Sequence, residues 1–129
     1  MTAKDLTALA GVAAMACDAA EARLARLRQE ETELRRQIGA LDSARRARAA
    51  EALATDVALR AGADLRWEGW IEGRSAALGA ELARLRARIE VARDDLARAF
   101  GRRTAIETLA EDVRRDRAAR RLRFEERNS

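Results

Sequence analysis

Large apolar residues recur along the second half of this chain at alternating spacings of four and three. With Ser75, Leu82, Ile89, Leu96, Arg103, Ala110, Arg117 and Phe124 as the a positions of a heptad, the d positions are Ile71, Leu78, Leu85, Ala92, Ala99, Ile106, Val113 and Arg120. A repeat held in one register without a skip predicts a helix that buries one narrow seam against another helix. At about 1.5 Å of rise per residue, the stretch from Ile71 to Phe124 would be roughly 80 Å long, too long for a small globular core.

The first half repeats the pattern. Its seam runs through Ala10, Ala13, Cys17, Ala20, Leu24, Leu27, Glu31, Leu34, Ile38 and Leu41. Continued further, the same register would turn Arg45 and Arg48 inward. The apolar set is instead expected to move to Ala49, Leu53 and Val57, as a four-residue stutter would cause. Between the halves, Gly62 can supply the left-handed residue that ends a helix, and Asp64 suits the N-cap of the next. The predicted fold is therefore all-α: one long antiparallel two-helix coiled-coil hairpin over residues 1–129, with a helix over 3–60, a turn at 61–64 and a helix over 64–125. Folding at Gly62 sets Leu41 against Leu82, Ile38 against Leu85, Leu34 against Ile89, Leu27 against Leu96 and Cys17 against Ile106. The opposed residues are large in the middle and smaller towards the open end. A pairing slipped by one heptad, with the turn nearer Asp64, satisfies the same pattern. Phe100, Leu109 and both tryptophans remain poorly covered, which points to self-association or a partner.

Composition supports helix and argues against a sheet. Alanine swells the 48% hydrophobic content, aromatics are 3%, and proline and tyrosine are absent. Charged residues are 37%, the net charge is +4, and all but one of the 26 basic residues are arginine. Basic and acidic residues are interleaved, as on a solvated helix face. A nucleic-acid surface would call for a single-sign stripe with stacking aromatics, so nucleic acid is not the expected partner. An arginine- and alanine-rich composition is also what a GC-rich coding bias produces.

Little here could carry chemistry. The chain has no histidine, which removes the commonest general base and metal ligand. It has no phosphate-binding glycine loop. Its carboxylates fall in local sets, Glu30, Glu31 and Glu33, then Asp94 with Asp95, and Glu111 with Asp112. Each set has arginines at helical spacing, so surface ion pairs are the expected role. No catalytic residue, cofactor site or metal site is predicted. The lone cysteine, Cys17, lies on the seam, where a small buried thiol is ordinary. It also ends an uncharged run, Leu6 to Cys17, that faintly resembles a lipoprotein processing site. That run lacks the positive flank of an export signal and is too short to span a bilayer.

Two features stand out as candidate binding sites. Trp67 and Trp70 lie beside the predicted turn, flanked by Glu68 and Glu72. They are either a binding hot spot or a cap on the seam against Val57 and Leu59. The second feature is the run from Arg114 to Arg123. It puts Arg117 and Arg120 on seam positions, with Arg114 and Arg121 beside them, where a purely structural coiled coil would be apolar. Fraying into solvent explains the run, and so does docking into an acidic partner.

The chain resembles the FliJ/YscO family, the central-stalk proteins of flagellar and virulence type III export machines. The likeness is strongest from Trp70 through Ile71-Glu72-Gly73-Arg74, then Glu81-Leu82-Ala83-Arg84-Leu85-Arg86, to Leu96-Ala97-Arg98-Ala99-Phe100-Gly101-Arg102. The resemblance implies a non-enzymatic cytoplasmic stalk, peripheral to the inner membrane, that enters the hexameric export ATPase and reaches the membrane export gate. It also implies an escort role for export chaperones. By position alone, the Arg114 to Arg123 end would face the ATPase and the Trp67/Trp70 end the gate. The competing classes are a generic coiled-coil scaffold and a basic coiled coil that binds nucleic acid through phosphates.

Overall fold

The computed structural model describes residues 1–52 and 57–129, and the side chains of all of these outside 52–61. Two helices, α1 (Ala3–Ala52) and α2 (Val57–Asn128), pack against each other as an all-α helical hairpin, with no strand among the described residues. α1 starts on a reciprocal cap. The Thr2 amide donates to Asp5 Oδ2 at 3.0 Å and the Asp5 amide donates to Thr2 Oγ1 at 3.1 Å, so each satisfies a backbone donor that the first turn leaves free. The bond from the Thr2 amide is the largest cause holding the Asp5 carboxyl below its usual range.

The heptad pattern survives in the burial. On α1 every seam residue from Leu6 to Arg48, taken at alternating four and three, is buried or half-buried, and on α2 the same holds from Ile71 to Val113, while nearer the start of α2 Asp64 and Trp67 are half-buried and Glu68 is exposed. The chain divides into two compact units, one made of Met1–Ala25 with Val91–Ser129 and the other of Arg26–Glu90. In the second, or middle, unit the buried side chains are Leu27, Ile71, Leu78, Leu85 and Ile89. In the unit containing both termini they are mostly smaller: Leu6, Ala13, Cys17, Ala92 and Ala99. Cys17 is fully buried on the seam.

Three expectations are corrected. The first concerns the turn: Gly62 and Asp64 are helical residues of α2, which begins at Val57, while the expected helix over 3–60 crosses 53–56, outside the described residues. Gly62 has no left-handed backbone, and nothing lies within 4 Å of where its Cβ would be. A helical glycine costs only about 1 kcal/mol against alanine, less than a favourable seam returns. Gly62→Ala should therefore raise stability by about 0.5–1 kcal/mol in chemical denaturation. A left-handed residue at this position would give the opposite sign.

The second correction is the register. Leu85, expected against Ile38, shares a groove with Glu30 and Leu34, and Arg86 pairs with Glu31 at 3.8 Å. Ile106, expected against Cys17, shares a cleft with Leu9, Val12 and Ala13. In each unit, α2 residues meet α1 about one to two turns nearer the amino terminus than expected. This slip runs opposite to the alternative pairing that places the turn nearer Asp64. A heptad slip keeps every seam position facing inward, so hydrophobic periodicity alone does not choose between the pairings.

The third correction is the stutter. Arg45 and Arg48 stay on the seam, half-buried, and Ala49 is exposed. Leu53 and Val57 lie outside the described side chains. Polar partners across the helix pair accept the two arginines, so the contact face need not rotate.

Candidate interaction surfaces

The middle unit contains an arginine and tryptophan cluster built from both helices. Arg48 Nε donates to Asp64 Oδ1 at 3.1 Å, with about a third of each side chain exposed. The same guanidinium lies over the Trp67 ring, its central carbon 4.6 Å from the ring centroid. That geometry suits attraction between a cation and the negative face of an indole, at about 0.5–1 kcal/mol for a partly exposed site. One turn earlier on α1, Arg45 Nε stands 3.7 Å from Glu68 Oε2, an ion pair without a hydrogen bond, and that nitrogen is buried.

Trp67 is thus a seam residue, half-buried under Arg48, while Trp70 is 61% exposed. The cap expected from Val57 and Leu59 falls outside the described side chains. Sequence reading missed Arg45, Arg48 and Asp64 as members of this cluster, although their three- and four-residue spacing continues both seams. Arg48→Ala should lower stability by about 1 kcal/mol and alter Trp67 fluorescence, because it removes a hydrogen-bonded ion pair and the ring contact together. An unchanged emission spectrum would place the indole away from the guanidinium.

The local carboxylate sets are largely engaged in ion pairs. Glu30 meets Arg88 at 3.7 Å, Glu31 meets Arg35 and Arg86, and Asp95 meets Arg23 at 3.6 Å. Glu33 accepts two bonds from Arg36, at 2.9 and 2.7 Å, and one from Gln37. The Arg36 bonds, with Gln37 second, hold the Glu33 carboxyl down to about 2 from 4.5. Its small surface contribution is complete above the unfolded value and is lost as pH falls between those two values. Among the described residues no group of three or more His, Cys, Asp or Glu could hold a metal ion. No described helix is long and apolar enough to cross a membrane.

In the terminal unit the seam closes with Val113. Arg103, a half-buried seam residue, bonds Glu107 at 3.0 Å, which raises its pKa, and the Cys17 thiol raises it further. Beyond Val113, α2 continues to Asn128 with every residue exposed except Ala119. Arg114 pairs with Glu111 at 3.3 Å and Arg120 with Asp116 at 3.4 Å, both one turn away on the same helix. No ion pair involves Arg117 or Arg121 among the described residues. Arg117 and Arg120 therefore occupy heptad positions with no seam to fill. The stretch from 114 to 128 holds seven arginines against three carboxylates, the same positive excess of four as the whole chain.

Comparison with known proteins gives no assignment: no family model, curated protein or solved structure matches the chain.

Proposed function

We propose that this protein is a non-enzymatic coiled-coil stalk of a type III export ATPase complex, with the arginine-rich end of α2 as its ATPase-docking segment. The observation that supports this reading most is the continuation of α2 beyond the buried seam. After Val113 the helix offers exposed arginines at the spacings that bury Leu78, Leu85 and Ala92 earlier in the same helix. A helix whose inward stripe becomes cationic and exposed is suited to insertion among acidic groups that approach from several sides. The sequence resemblance supplies the partner class. By the same resemblance, the export gate and export chaperones are further partners, and the site of action is the cytoplasmic side of the inner membrane. Trp70, exposed in the middle unit, is the residue offered for the gate contact.

The test is recovery of the hexameric export ATPase on the immobilised full chain, with nuclease present to remove bridging nucleic acid. Recovery at low salt, with stimulated ATP hydrolysis, is expected. No recovery would leave a general coiled-coil scaffold as the better description.

A further inference from the structure

We propose that one side of the terminal unit is a self-complementary face that pairs with a second copy of this chain in antiparallel fashion. This inference is independent of the proposed ATPase contact. Leu9, Val12 and Ala16 of α1 line an open cleft of about 180 Å³ with Arg102 and Ile106 of α2. Val12 is 64% exposed and Leu9 40%. Leu109 lies seven residues after Arg102, hence on the same side of α2, and is 54% exposed. The run from Leu6 to Cys17 carries no charge to break this apolar surface.

Charge complementarity identifies the occupant. Arg98 lies one turn before Arg102 and Asp112 one turn after Leu109, so α2 places basic groups on one flank of the apolar patch and an acidic group on the other. On α1, Asp5 lies one turn before Leu9, at the same end of the patch as Asp112. Among the described residues, Arg98, Arg102 and Asp112 make no ion pair, although most carboxylates of the local sets do. A second copy related by a two-fold axis through the patch puts the acidic flank of each copy on the basic flank of the other, with Val12 near Val12. A parallel copy would oppose like charges. An isologous contact of this kind closes at two chains and leaves no free face to propagate. The contact combines an apolar centre with a charged rim, as protein interfaces do.

The test uses the full chain in sedimentation equilibrium over a range of concentrations. Wild type is expected to form a dimer, and Val12→Glu to weaken it at least about tenfold, with helical circular dichroism unchanged because Val12 is exposed. Arg98→Glu should also weaken the dimer, and adding Asp112→Arg should restore it, since the swap rebuilds both flanking pairs with reversed sign. Val12→Cys should give a disulfide-linked dimer under mild oxidation, with Cys17 buried and unreactive. A wild type that stays monomeric throughout would overturn the proposal. So would a dimer indifferent to Val12→Glu, or a charge swap that fails to rescue Arg98→Glu.

Discussion

Leu85→Asp should unfold most of the hairpin at room temperature or lower its melting temperature sharply. Leu85 is 3% exposed and lies in the middle unit, where Leu78 and Ile89 on the same face of α2 are also buried. Truncating a buried leucine alone typically costs about 2–5 kcal/mol, and a carboxylate there adds the penalty of an unpaired charge in apolar surroundings. A single seam offers few other layers to absorb that loss, and single small domains are stable by only about 5–15 kcal/mol. Val91→Asp is the matched control. Val91 is 53% exposed, so the same type of change on the outer face should cost little. Circular dichroism and thermal melts of the two variants read the difference. A Leu85→Asp protein that melts like wild type would place Leu85 in solvent and refute the packing of α2.

The contrast between Leu85 and Val91 was legible in the sequence, since only one of them falls on the alternating spacing. So were the helical class, the inward face of each helix from Ala10 to Leu41 and from Ile71 to Val113, and the exposure of Phe100 and Leu109. What the spacing did not carry was which residue of α1 meets which residue of α2. Hydrophobic periodicity repeats every seven residues, and pairings a heptad apart bury the same faces. The information that separates them lies in singular features. Arg48 meets Asp64 and Trp67, and Arg45 meets Glu68, which is possible only when Arg45 and Arg48 remain inward. A reading that treats an arginine on a seam as an error in the pattern inserts a stutter and loses these contacts. The long aliphatic stem of arginine packs like an apolar side chain while its head group reaches a carboxylate, so the pattern tolerates it. Gly62 misled for a related reason. Glycine permits a turn, but an exposed helical glycine also costs little, and its presence is weak evidence for where a helix ends.

Reversing Arg117, Arg120 and Arg121 to glutamate should abolish binding to the export ATPase while leaving the hairpin folded. The three lie past the last seam residue, Val113, and all are exposed, so their replacement removes no core. Arginine and glutamate have similar helix propensities. The stability cost is then limited to the Arg120–Asp116 pair, which becomes two like charges one turn apart, and to acidic groups near a helix C-terminus, each a few tenths of a kcal/mol. The effect on the segment's field is much larger. Each reversal removes one positive and adds one negative charge, so the excess of four positive charges between 114 and 128 becomes an excess of two negative ones. Against an acidic partner, attraction becomes repulsion, and a loss of about a hundredfold or more in affinity is expected. Wild-type binding should also weaken as salt rises towards 0.5 M, where the screening length falls to about 4 Å. Nucleic acid would share that salt dependence, so the decisive comparison is wild type against the triple variant with nuclease present, read by ATPase recovery and ATP hydrolysis. Because Val12 and Arg98 are untouched, self-association should persist in the triple variant, which separates a lost partner contact from a lost dimer. Equal recovery of the ATPase by both proteins would remove the arginine-rich end from the interface.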